Sequence, residues 1–276
     1  MPNIRILYDN AADSATLVAS STAGSLVAAN MLTDIKSEVW RSTGTTATLT
    51  LTWDDPRPLN MAVLAFSNLS PLATLRARVY QNEADADPVI DSGVVAACGY
   101  APLGLFEWGA EAPGRNAYTV AGLSYGRVYF PAAAGRKLVI DIADADNPAG
   151  YVQAGRLIAG AYWSPKWNAS AGAQQSIGDL TKNERNDAGD LRSSLGPKFN
   201  SLRLDLELLE PIDRARVWDI LRGKGVGSPL FISLFPEDAD PRIEQSHQLW
   251  GKLSKVSSIT APYCRTFAAP LEFEEI

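Results

Sequence analysis

Histidine and cysteine are scarce in this chain of 276 residues, which has one histidine, His247, and two cysteines, Cys98 and Cys264. Soft ligands this few and this far apart give zinc no ligand set. The two cysteines fall in stretches that read as separate domains, so reduced thiols are expected, not a disulfide framework. Basic charge is also in deficit: 25 Lys and Arg against 31 Asp and Glu leave a net charge of −6. Affinity for nucleic acid comes mainly from basic side chains on phosphates, so no nucleic-acid partner is expected. No run of about 18 apolar residues occurs, which excludes a membrane-spanning helix. The opening MPNIRILYDN lacks the basic and then apolar order of a secretory signal, so synthesis and folding in a cytoplasm are expected. The one glycine-rich phosphate-loop candidate, Gly223-Lys-Gly-Val-Gly227, follows a helical stretch instead of preceding one. It is read as a turn, and no cofactor is expected.

What is present is strand signal. Thr45–Trp53 alternates Ala47, Leu49, Leu51 and Trp53 with threonines, and Asp54-Asp-Pro-Arg-Pro58 reads as its stop. Asn3–Asp9, Met61–Phe66, Leu75–Tyr80 (Arg76 and Arg78 outward), Val89–Ala97 and Lys137–Ile142 read as further strands. Between the last two lies Gly99–Pro131, rich in aromatics, glycine and proline, which reads as long loops with one or two short strands. Tyr151–Asn168 alternates, passes through small residues and ends on Tyr162-Trp-Ser-Pro165, where proline removes a donor. It is expected to close the first domain and lead into the second. Short strands separated by turn signals predict a β-sandwich or jelly roll over residues 1–165.

Residues 166–197 are polar and glycine-rich, and read as an extended arm or partly mobile loop. Ser201–Leu209 predicts a strand with Leu202, Leu204, Leu206 and Leu208 inward. Pro211–Arg222 predicts a helix, with proline in its first turn and Ala215, Val217, Trp218 and Leu221 on its inner face. Leu230–Phe235, Gln248–Val256 and Cys264–Glu275 read as strands. Residues 198–276 are thus expected to form a small α+β unit, one helix on a sheet, in a mainly β chain.

Gly122-Leu-Ser124-Tyr-Gly126 fits the G-x-S-x-G nucleophile pattern, with His247 the only available base. That chemistry needs a strand-to-helix turn, and the following RVYFPAAAGRK has no helical character, so no catalytic residue is assigned. Asp141, Asp144, Asp146 and Asn147 could offer oxygens to calcium. Their spacing departs from the EF-hand loop, and a solvated acidic turn is the preferred reading. The aromatic loops leave Tyr100, Trp108, Tyr118 and Tyr125 as candidate ligand-binding residues, for a glycan or a partner. Trp108, between Glu107 and Gly109, is the one expected to point outward, while Phe106, Tyr129 and Phe130 could instead cap the core.

Several of these stretches carry a resemblance. Val39-Trp-Arg-Ser42, the strand to Trp53, VLAFSNLS at 63–70, RARVY at 76–80 and YVQAGRLIAGAYWSP at 151–165 resemble a discoidin-like (galactose-binding-like) jelly roll. Together with an arm holding Ser176, Asp179 and Arg185, they are similar to tail-tip and baseplate proteins of long-tailed bacteriophages. The leucine strand, the helix with Trp218, PLFISLFP at 229–236 and LEFEEI at 271–276 resemble the ring-forming unit of distal-tail-type proteins. This resemblance implies a non-enzymatic virion component made in the host cytoplasm. It would assemble as a ring of three or six copies at the tail tip, against other tail and baseplate proteins. The jelly roll would face outward, where it could touch fibres or host-surface glycans. The alternative is a carbohydrate-binding protein whose main role is glycan recognition.

Overall fold

A computed structural model describes residues 2–98, 124–238 and 240–276. The chain divides into two compact units, Met1–Ser164 with Ser233–Gln248, and Pro165–Ile232 with Leu249–Ile276. The chain is mainly β, and among the described residues one α-helix is longer than six residues.

In the first unit the strands are β1 (Arg5–Leu7), β2 (Thr16–Ala19), β3 (Trp40–Arg41), β4 (Thr46–Ser67), β5 (Thr74–Tyr80), β6 (Ile90–Asp91), β7 (Val95–Ala96), β8 (Ser124–Ala143), β9 (Gln153–Ala154) and β10 (Arg156–Gly160). One sheet runs β10-β4-β8-β5-β6, with β2 also on β4 and β7 on β5, and β3 pairs with β9 separately. The alternation in 47–53 buries Ala47, Leu49, Leu51 and Trp53 as expected.

The stop expected at Asp54–Pro58 is not one. β4 continues, and the register slips between Thr52↔Lys137 and Arg57↔Gly135, so Trp53–Pro56 oppose Arg136 alone. A bulge is where a strand can hold prolines that cannot donate to the ladder. The same device admits Pro131: between Leu59↔Ala133 and Met61↔Tyr129, three residues of β8 oppose Asn60. The predicted loop therefore ends by Ser124, not at Pro131. On either side of these bulges the two halves of the β4–β8 ladder supply Leu49, Leu64, Val128 and Ile140 to one core, with Trp40 and Leu157. This is a β-sandwich of the jelly-roll kind.

The strand expected to run to Pro165 ends at Gly160, with β10 paired to Met61–Ala65 of β4. Beyond it Trp163 forms an isolated bridge, exchanging backbone hydrogen bonds of 2.8 Å with Ile6. A short helix, Pro241–Ser246, that the sequence did not reveal also belongs to this unit. Its Glu244, 1% exposed, takes two hydrogen bonds from the Arg127 guanidinium, at 3.0 and 2.6 Å. Gln245 stands in for a strand residue: its Nε2 donates to the Tyr125 carbonyl (2.9 Å) and its Oε1 accepts from the Tyr125 amide (3.4 Å).

In the second unit, β11 (Gln174–Asp179), β12 (Lys182–Arg185), β13 (Leu191–Ser194) and β14 (Lys198–Leu209) precede helix α1 (Pro211–Lys224). Then come β15 (Leu230–Ser233), β16 (Gln248–Leu253), β17 (Thr260–Tyr263) and β18 (Thr266–Glu275). Its sheet runs β15-β16-β18-β14-β11, with β17 on β18. Leu202, Leu204 and Leu206 point inward as expected. A register shift before Leu209 then buries that residue and leaves Leu208 exposed, against expectation. Helix α1 buries Asp213, Val217, Ile220 and Leu221. Ala215 and Trp218 are therefore outside, not on the inner face; Trp218 is 48% exposed beneath the Arg214 guanidinium. Asp213 can be inside because its carboxylate accepts the Lys166 amide at 3.1 Å.

Candidate functional site

The segment read as an extended arm or partly mobile loop pairs with itself as a β-arm. β11 pairs with β14 from Gln174↔Arg203 to Asp179↔Lys198, and β12 pairs with β13 from Lys182↔Ser194 to Arg185↔Leu191. The second ladder continues the first, so residues 174–203 form one long hairpin that leaves the sheet edge. At the junction, the Leu180 amide donates to the Pro197 carbonyl (3.2 Å) and the Gly196 amide to Thr181 Oγ1 (3.1 Å). A Cβ on Gly196 would come within 2.4 Å of the Leu180 carbonyl, so only glycine lets the two strands cross there. Nearer the sheet, the Phe199 ring lies over Gly178 in the space a side chain would fill.

The tip is rigid. Asn186 Oδ1 accepts the Asp190 amide (2.8 Å), the Asn186 amide donates to the Asp190 carbonyl (3.0 Å), and the Gly189 amide donates to the Asn186 carbonyl (2.9 Å). Arg185 Nη1 donates to the Gly189 carbonyl at 2.8 Å. These bonds leave the Asp187 side chain at the apex, exposed and held by no hydrogen bond or ion pair among the described residues.

No residue from 166 to 201 is buried. The arm nevertheless carries large apolar side chains, Ile177, Leu180, Leu191 and Leu195, the last 88% exposed. Where the arm joins the sheet, β11, β14 and β18 enclose a depression of about 340 Å³. Its floor is the cross-strand row Gln174, Arg203 and Glu272, beside Ser176 and Ser201. The two serine hydroxyls share a hydrogen bond of 2.6 Å. Lys255 pairs with Glu272 at 3.0 Å and, chiefly through that hydrogen bond, holds its carboxyl below the ordinary range. Arg203 is exposed and stands cross-strand from Glu272, whose carboxyl its charge also helps hold down. The arrangement presents hydrogen-bond donors and a cation to a small polar group.

Of the residues singled out from the sequence, Tyr100, Trp108 and Tyr118 lie outside the described residues. Tyr125 is 2% exposed, its ring 5.8 Å from that of Phe66, and so it presents no face to a ligand. Ser124 is buried, its hydroxyl donating to the Ser67 carbonyl at 2.6 Å. His247 Nδ1 lies 2.9 Å from both the Ile243 carbonyl and the Ser246 hydroxyl, and its ring abuts Phe235. Ser124 and His247 thus make no nucleophile–base pair. In the acidic turn, Asp141 is held by Arg78 (2.6 Å) and Thr48 (3.0 Å). Asp144 accepts from the Ser70 amide (2.9 Å) and from Asn147 (2.8 Å). Among the described residues, no group of three or more His, Cys, Asp or Glu is placed to hold a metal ion. The arm's pairing was missed, although Asn186-Asp-Ala-Gly-Asp190 between two short runs is a hairpin signal.

No family model matches this chain, and no curated protein does. Among solved structures it is similar to a GH29 fucosidase of Ruminococcus gnavus in complex with fucose, at 9% identity and a TM-score of 0.39, over 57% of this chain and 27% of the fucosidase. The chain therefore spans about a quarter of that enzyme's length. It is similar to the CBM32 of AlyQ in complex with 4,5-unsaturated mannuronic acid, at 13% identity and a TM-score of 0.36, over 55% of this chain and 96% of that one. A CBM32 module from Clostridium perfringens in complex with GalNAc-β-1,3-galactose matches at 12% identity and a TM-score of 0.37, over 55% of this chain and 100% of the module. None of these three is a tail protein, and they lend the tail-tip resemblance no support.

Proposed function

We propose that this chain is a non-enzymatic assembly protein whose copies hold one another through the β-arm of the second unit. The observation that carries this is the ordered hairpin with no buried residue between 166 and 201. Ordering backbone costs roughly 1–2 kcal/mol per residue, and an isolated two-stranded hairpin is marginal in water. Leu180, Leu191 and Leu195 are exposed among the described residues, so a partner surface is what would offset that cost. A second copy is the simplest partner. A head-to-tail contact between identical chains closes into a ring or runs on as a filament. The closed form is the tail-tip ring that the sequence resemblance implies, built beside other tail and baseplate proteins. Replacing residues 182–194 with a two-residue Asn-Gly turn should leave both units folded and reduce the protein to a monomer by light scattering. A shortened chain as multimeric as the full one would refute the reading.

Glycan recognition by the first unit is the second reading. It is favoured by the sequence between β7 and β8, where Tyr100, Trp108 and Tyr118 stand among glycines and prolines, because aromatic faces on sandwich loops can stack on sugars. An array carrying fucose, uronate and GalNAc-galactose ligands tests it. Binding that Trp108→Ala abolishes without lowering the melting temperature would support it, and an array with no signal would remove it.

A further inference from the structure

We infer that the seat of the arm is the depression at the arm's own base on the next copy, where Arg203 receives Asp187. This rests on the arm being the contact between copies, and it names both halves of that contact. The two groups match in three respects. Each is an exposed charge: Asp187 is an anion at an apex, and Arg203 a cation in a hollow whose facing carboxylate, Glu272, also pairs with Lys255, so two cations there meet one anion. The apex is preorganised by the Asn186–Asp190 bonds and carries only Asp187, Ala188 and Gly189, small enough to enter a depression of about 340 Å³. The hollow already has its own carboxylate neutralised, since Glu272 is taken by Lys255. An incoming carboxylate therefore meets the guanidinium with the nearest like charge compensated. The hydroxyls of Ser176 and Ser201 and the Gln174 amide remain as polar lining around it.

Tip and seat belong to the same arm but lie at opposite ends of it. One copy's tip cannot fold back into its own seat without breaking the ladder between them. The pairing is therefore between copies, and each copy offers one donor and one acceptor contact, whether two copies exchange tips or several close into a ring. Arginine suits the role because its planar fork can meet a carboxylate with two parallel hydrogen bonds, which fixes orientation as well as attraction.

The test is a charge exchange in the full chain, read as mass against concentration by sedimentation velocity, with circular dichroism confirming the fold. Asp187→Arg and Arg203→Asp should each weaken self-association by about 30-fold or more, the scale of losing one partner of a desolvated charge pair. Mixing the two single variants should restore assembly, because the Asp187 tip of one meets the Arg203 seat of the other and the reversed charges also match. The double variant should assemble as the wild type does. Single variants that associate normally, or a mixture that stays dissociated, would overturn the seat. If the chain shortened at 182–194 were then monomeric, the arm reading would survive that failure. A shortened chain as multimeric as the wild type, or a wild type that stays monomeric over the whole range, would overturn both.

Discussion

Removing the Glu244 carboxylate should damage the first unit more than its position on a six-residue helix suggests. Glu244 is almost fully enclosed, and the Arg127 side chain that it pairs with is 16% exposed. Gln248 Nε2 also donates to Glu244, at 3.1 Å. In Glu244→Ala the guanidinium stays buried and loses its counter-charge, while the Gln248 amide loses an acceptor. Breaking a buried pair from one side costs about 3–5 kcal/mol. The low end applies here, because Arg127 Nη1 keeps the Ala96 carbonyl at 2.7 Å, so about 3 kcal/mol is expected. For a domain of roughly 150–250 residues, each kcal/mol moves the melting temperature by about 2–4 °C, so the variant should melt roughly 6–12 °C lower by calorimetry. Arg127→Met with Glu244→Leu removes both charges together and should recover most of the loss, since a buried ion pair is often no better than apolar residues of similar volume. A loss below about 1 kcal/mol in Glu244→Ala, or a double variant as unstable as the single one, would show that the pair does not anchor the segment.

Two further outcomes follow from the surroundings of single groups. Burial pushes the Cys98 thiol up to about 12, while Cys264 is exposed. A thiol reagent at neutral pH should thus modify one cysteine per native chain and two after denaturation; fast labelling of both in the native protein would contradict the placement of Cys98. Asp91 is held down to about 2, first by its hydrogen bond from Arg76 and then by the Gly93 amide. Its folded value lies below the ordinary 3.8, so the contact stabilises above that value and is lost as pH falls through about 2. Arg76→Ala should bring the Asp91 titration, followed by NMR, back toward 3.8 and flatten the acid limb of stability; an unmoved titration would refute the assignment.

The β character of both halves was legible because burial alternates along Ala47–Trp53 and Leu202–Leu206, and a period of two survives whatever the neighbours are. The errors lie where local chemistry was read as a boundary. Pro56, Pro58 and Pro131 look like stops, yet each sits at or beside a bulge where the opposing strand asks for no donor, and β4 and β8 pass through. Leu208 and Trp218 have the right residue type for a core. A slipped register at Leu209, and a helix rotated so that Asp213 can accept the Lys166 amide, put both outside. Periodicity finds a stripe but does not choose among overlapping stripes when the helix is apolar on more than one side.

The strand pairing within the arm failed to show for a different reason. Pattern rules detect a strand by the face it buries in its own chain, and β12 and β13 bury neither face. Lys182, Glu184, Arg185 and Arg192 are what solvent-facing positions accept, so the segment has the composition of a loop. What identifies it as built is backbone geometry: a glycine that alone fits the crossing at Leu180, a phenylalanine ring covering Gly178, and a tip closed by Asn186 on Asp190. An element stabilised within one chain would show apolar alternation along its length. On the proposed reading, an element completed by a second chain would need apolar side chains only where the partner lies, and the exposed Leu180, Leu191 and Leu195 are isolated points of that kind. Its sequence therefore resembles a linker, and its hydrogen bonds distinguish it from one.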